Sequence, residues 1–172
     1  MKIVIIFCSK SGNTRKVAQA IASGIRGEVD LIDLDLSPEG IIWSTRIQTS
    51  FTLDLGVYDL VFLGGWATLM KIHPYLVAYI KKCKNIEDKR VYGFFTAGAI
   101  FSLGHVRENL EKVLKARDIH MIECFCVTTL LGLTLTRRKL DRAKNFGKRV
   151  SLQEGQKILK AVAVTCLPAF ER

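Results

Sequence analysis

Two kinds of apolar pattern take turns along the chain. Residues 3–7, 29–34, 60–64, 91–95 and 121–127 are short runs rich in β-branched, aromatic and aliphatic side chains. The first of them, Ile3 to Phe7, has no polar residue to turn toward water, so it reads as a central strand covered on both faces. Between these runs the period changes to the helical one. Val17, Ala18, Ile21, Ala22 and Ile25 mark a helix over 13–26, Pro74 sits well at the first turn of one over 74–83, and further helices are predicted over 105–117 and 138–150. Strand and helix in alternation predict an α/β domain, a parallel sheet wound on both faces. Residues 37–57 lack the periodicity that a crossover helix in that place should have. Residues 154–166, with ILKAVAVTCL, predict an extra terminal helix or arm.

At 172 residues and 49% hydrophobic, the chain suits a single domain over 1–172, with a core in 1–150 and a C-terminal extension in 151–172. Its five cysteines, Cys8, Cys83, Cys124, Cys126 and Cys166, are odd in number and scattered, and they read as reduced thiols rather than a disulfide frame. Cys124 and Cys126 share a strand face, but no second Cys or His pair at metal spacing accompanies them, so no metal is expected. The initial apolar run is shorter than that of a signal peptide and no run approaches spanning length, so a cytoplasmic protein without a membrane span is expected.

Charge changes the picture. The formal net charge is +10, with basic residues gathered at 81–90 and again at 137–149. A surface of this sign attracts acidic partners, anionic lipid or nucleic acid. Nucleic acid is disfavoured, because no exposed aromatics interleave the basic clusters and no nucleic-acid motif is present.

The chemistry gathers in three loops. CSKSGNTRK, residues 8–16, follows the first strand and opens a helix. Free N–H groups and the positive dipole end of that helix, with hydroxyls from Ser9, Ser11 and Thr14, suit a phosphate. Short runs of Ser, Asn and Gly also cap helices without binding anything, and the loop alone does not decide between the two. The loops at 64–74 and 96–105, after the third and fourth strands, are rich in Gly and Ala and carry Trp66 and Phe101. Ligands of open parallel sheets sit outside the carboxyl ends of the strands, where these three loops emerge. A phosphate loop and two small-residue loops with aromatic faces describe a mononucleotide with a planar ring.

FCSKSGNTRKVAQAIASGI resembles the phosphate signature of the flavodoxins, while YDLVFLGG…HP and VYGFFTAG resemble the third and fourth strands of that family with their ring-flanking loops. The likeness covers residues 1–150. It implies a five-stranded parallel sheet of order 2-1-3-4-5 and FMN as cofactor. It places the phosphate on Ser9, Lys10, Ser11, Gly12, Asn13 and Thr14. It places the ring between Trp66, Ala67, Thr68 and Leu69 on one side and Thr96, Ala97, Gly98 and Ala99 on the other. Trp66 stands near the position where many members have proline, which suits a wall of the site rather than a stacking partner, and the Tyr that packs on flavin in electron carriers is replaced at best by Phe101. No G-x-G-x-x-G is present, which disfavours a dinucleotide site.

Electron-carrier flavodoxins are typically acidic, and this chain has the opposite sign. Three classes of function follow: an electron-transfer module serving an acidic partner enzyme, a self-contained oxidoreductase for a small anionic or tetrapyrrole-like substrate, and a flavin-free binding module. The second resembles the basic, flavodoxin-like protoporphyrinogen oxidases, with His73 and His105 placed to move protons. No catalytic side chain stands out, and the carrier is the preferred reading.

Overall fold

The computed structural model describes residues 1–35, 54–67, 71–98, 102–129 and 135–165. The strands are β1 (Lys2–Phe7), β2 (Glu28–Asp33), β3 (Leu60–Ala67), β4 (Arg90–Ala97) and β5 (Met121–Thr128), and the helices are α1 (Asn13–Gly24), α2 (Pro74–Lys82), α3 (Ser102–Lys115) and α4 (Arg137–Thr165). All the strand pairs are parallel, in the order β2-β1-β3-β4-β5. Most of the 37–57 segment lies outside the described residues; from its end, Leu55 is buried and Asp54 bridges in parallel to Lys84.

Each strand sends alternate side chains to two cores. Val4, Ile6, Val61, Leu63 and Phe95 meet Leu76, Ile80, Leu110 and Leu114 of α2 and α3. Ile3, Ile5, Phe62 and Phe94 meet Val17 and Ile21 of α1 and Ala143, Phe146 and Val150 of α4. Burial on both faces is why β1 carries no polar position after Lys2.

Two boundaries differ from the sequence pattern. β3 and β4 run past residues 64 and 95: Trp66 pairs with Thr96 and Ala67 with Ala97, so these four are strand residues rather than loop residues. Gly64 belongs inside the strand because the Phe94 ring fills the place of a side chain, and a Cβ there would lie 2.1 Å from its Cζ. The second difference is at the end of the chain. The C-terminal helical extension forms, but over 154–165 it continues the preceding helix, so that α4 is one helix from Arg137 to Thr165.

What carries α4 past Val150 is polar. Glu154 is buried, accepts the Tyr92 hydroxyl at 2.9 Å and the Lys157 ammonium at 2.8 Å, and ion-pairs with Arg90. Glu154→Leu is therefore expected to lower stability by about 2 kcal/mol, the scale of hydrogen bonds to a charged group. The loss stays below that of a fully buried pair because Arg90 and Lys157 reach water. Thermal unfolding followed by circular dichroism checks this, and a melting point equal to that of the native chain contradicts it.

Candidate functional site

The winding of the sheet reverses between β1 and β3, which places the carboxyl ends of β1, β3 and β4 around one crevice. The first wall is the turn from β1 into α1. Gly12 has φ +80°, a left-handed conformation that L side chains adopt only with strain, and a Cβ there would meet nothing within 4 Å. Glycine thus answers the needs of the backbone, and among the described residues nothing fills the space over the turn. α1 starts at Asn13 with no acidic residue in its first turn, so the positive end of its dipole is not offset there.

Two of the hydroxyls in this loop serve the fold itself. Ser9 caps the helix, its Oγ accepting the Arg15 N–H at 3.0 Å, while Arg15 donates from Nε to Asp33 at 2.8 Å. Thr14 does something different. Its Oγ1 lies 2.9 Å from that of Thr96 at the end of β4, and both residues are buried. This bond ties the first loop to the strand that leads into the third.

The second wall is Trp66. Its ring is half-buried, 5.4 Å from the His73 ring, with Lys10 Nζ 5.6 Å above its centre. The indole Nε1 is buried without a hydrogen-bond partner among the described residues, a cost that a polar ligand atom would relieve. At the third wall, Ala97 O accepts Thr129 N–H at 2.7 Å, and a Cβ on Gly98 would meet only Thr129 O, at 4.0 Å.

The structure therefore brings Thr14 to Thr96, Lys10 to Trp66, and Trp66 and Ala67 beside Thr96 and Ala97, with Ser9, Gly12 and Asn13 in the same turn. Ser11 and Lys10 are exposed there. Thr68, Leu69 and Ala99, and with them Phe101, lie outside the described residues.

His73 caps α2, its Nδ1 accepting the Tyr75 N–H at 3.3 Å. Burial holds its pKa below the usual histidine range, with Asp35 opposing and Lys10 reinforcing the shift. His105, on α3, is exposed and borders a groove of about 520 Å³ lined by Lys71, Ile72, Val77, Asn109, Lys112 and Val113. The motif reading missed Arg15, Asp33 and Asp35. They belong to separate elements, and no spacing in the sequence links them.

The basic clusters divide in two. Lys89 bonds Gly56 O, Lys139 bonds Thr128 O, and Arg149 grips Glu123 through both of its terminal nitrogens. Arg137, Arg138 and Arg142 are exposed and make no ion pair among the described residues. Because α4 runs back from the end of β5, its first turn stands at the same edge of the sheet as the crevice. No described helix is long and apolar enough to cross a membrane.

Known proteins bear on this geometry. The family model described as "Flavodoxin domain" matches residues 4–127. A curated relative, "Flavodoxin-like domain-containing protein BilS" of Clostridioides difficile (strain CD3), is 26% identical over 113 residues, which are 66% of this chain and 56% of that protein. This chain thus matches little more than half the length of that relative. Among solved structures, oxidised Flavodoxin 1 from Bacillus cereus superposes with a TM-score of 0.63 at 23% identity, covering 86% of this chain and 95% of that one. The rubredoxin oxygen:oxidoreductase of Desulfovibrio gigas gives a TM-score of 0.68 at 18% identity, covering 91% of this chain and 37% of that one. At these identities the two structures speak for the fold alone, whereas the family model matches well over half of the sequence. With its phosphate-type turn and small-residue strand ends at one crevice, the chain belongs to the flavodoxin family of flavin-binding redox proteins.

Proposed function

We propose that this chain binds FMN and passes electrons to an acidic redox partner protein. The carrying observation is the Thr14–Thr96 bond, which joins the helix N-terminus to the strand end leading into a ring-flanking loop. In this reading Ser9, Lys10, Ser11, Gly12, Asn13 and Thr14 surround the phosphate. Trp66, Ala67, Thr68 and Leu69 take one side of the ring, and Thr96, Ala97, Gly98 and Ala99 the other. The residues suit that group: the dipole end has no acidic neighbour in its turn, and among the described residues nothing fills the space over Gly12 and Gly98 and Trp66 Nε1 lacks a partner. When bound, FMN supplies one- and two-electron redox chemistry. The protein orients the group, shields one edge with Trp66, and sets the sign of the surrounding field.

The structure refines which hydroxyl tests the phosphate. Ser9 and Thr14 are engaged within the protein, whereas Ser11 is exposed in the turn. Ser11→Ala is expected to weaken FMN by about 2 kcal/mol, the scale of one hydrogen bond to a charged group, and to leave riboflavin affinity unchanged. Titration with quenching of flavin fluorescence reads both. Equal losses for the two ligands, or no binding of FMN at micromolar concentration, count against the proposal.

A second reading, direct turnover of a small anionic substrate, is favoured by the groove beside α3. There Lys71, Lys112 and His105 stand over the apolar side chains of Ile72, Val77 and Val113.

A further inference from the structure

We propose that Cys8, Asp35 and His73 form a binding site for a divalent metal ion of the zinc type, beside the crevice but independent of the flavin reading. Cys8 directly follows β1, Asp35 stands two residues beyond β2, and His73 is the cap of α2. Each offers one ligand atom, and the three atoms lie within 4.8 Å of one another. Tetrahedral zinc with sulfur, nitrogen and oxygen ligands sets such atoms about 3.5 Å apart, so a closure of roughly 1 Å through side-chain torsions completes the set. Zinc accepts all three donor types, and three protein ligands leave a fourth position for water.

A second observation points to a ligand. Asp35 Oδ2 is buried and has no hydrogen-bond partner among the described residues, the costly state for a carboxylate oxygen. Two backbone groups oppose burial and the neighbouring carboxylates at the cluster: the Leu76 N–H in the first turn of α2 supports an anionic Cys8 sulfur, and the Ser9 N–H supports the Asp35 carboxylate. Burial, with the charges of Asp35 and Asp33 beside it, pushes the Cys8 thiol up, and burial, with Lys10, disfavours the charged form of His73. The ion changes the first of these, since a coordinating thiol is deprotonated outright. In the balanced step the S–H bond breaks, a sulfur–metal bond forms and one proton leaves to solvent. Asp35 and His73 donate lone pairs only, and no electron changes hands. Thiolate, carboxylate and a divalent cation sum to zero charge, which suits a buried place. Either nitrogen of His73 can serve, Nδ1 by releasing the Tyr75 N–H or Nε2 by moving the ring proton to Nδ1. The cost in both cases is one long hydrogen bond of 3.3 Å.

The test uses the full chain, stripped with a chelator, reloaded with zinc and desalted, with metal measured by elemental analysis. About one zinc per chain is expected to remain, and Co²⁺ in its place is expected to give a thiolate-to-metal absorption band. Cys8→Ser should abolish the band, and Cys8→Ser and His73→Asn should each weaken zinc at least about 100-fold by chelator competition, beyond the loss typical of outer-shell changes. Asn keeps the capping ability at position 73, so helix fraying does not mimic the result. Cys124→Ser should change nothing. The proposal is overturned by retention of less than about one zinc per ten chains, by a band that survives Cys8→Ser, or by one that vanishes with Cys124→Ser. FMN affinity measured on the same samples is a separate quantity, so failure of the flavin reading leaves the zinc count interpretable.

Discussion

Gly147→Val is expected to destabilise the fold by about 3 kcal/mol or more, lowering the melting point by roughly 6–12 °C for a chain of this size. The reason lies in the contact between α1 and α4. A Cβ on Gly147 would lie 2.2 Å from the carbonyl oxygen of Ile21, and one on Gly24 would lie 1.9 Å from that of Lys144. Both obstacles are backbone, which no rotamer change removes. Two glycines, one from each helix, thus let the helix axes approach closely enough for Phe146 and Ile21 to share one core. The control is in the same helix. Gly155 has nothing within 4 Å of a Cβ, so Gly155→Ala should stabilise by about 0.5–1 kcal/mol through helix propensity alone. Melts of the two variants followed by circular dichroism make the comparison, and a Gly147→Val melt within a degree of the native one contradicts the packing.

The strands and the first three helices were legible because burial on two faces writes itself as apolar runs and helical spacing. The same rule misled where contacts are polar or made by backbone. A terminal helix was legible in ILKAVAVTCL, but not its continuity with the helix before it, because α4 past Val150 is held by Glu154, Tyr92 and Arg90. Gly65 looks like a loop residue in a string of letters, yet it is a strand position beside the ring of Phe95. The turn at 8–14 was legible as a motif, but not the assignment of its hydroxyls: that Ser9 takes the Arg15 N–H and Thr14 reaches Thr96 depends on contacts across the fold. Cys8, Asp35 and His73 were invisible as a group because no metal spacing joins them; the parallel winding of the sheet brings their ends together.

Charge reversal at Arg137, Arg138 and Arg142 is expected to slow electron transfer to an acidic partner by roughly ten- to a hundredfold at low salt, with little effect on FMN affinity. These side chains are exposed and pair with no acid among the described residues. They also sit where helix physics disfavours them, since Arg137 and Arg138 occupy the positive end of the α4 dipole, a place that prefers Asp or Glu. A cost to the helix at this edge of the sheet, without a compensating ion pair, is what a docking surface would require. The same fact supplies the control. Glu at 137 and 138 suits the helix start, so a slower rate in the reversed protein does not come from a weakened fold, and its melting point should hold or rise. Salt separates the two functional readings further. Steering by exposed charge is screened beyond about 8 Å at physiological ionic strength, so the native rate should fall steeply with salt and the reversed protein should show a flat profile. Direct turnover of a small anion makes the opposite demand. It needs no second protein and depends on Lys71, Lys112 and His105 in the groove, not on the first turns of α4. Reoxidation of the reduced protein, followed at low and high salt with and without acidic candidate partners, decides between them. Turnover without a partner, unmoved by salt and by the three reversals but lost with Lys71→Ala and Lys112→Ala, would replace the carrier with an enzyme.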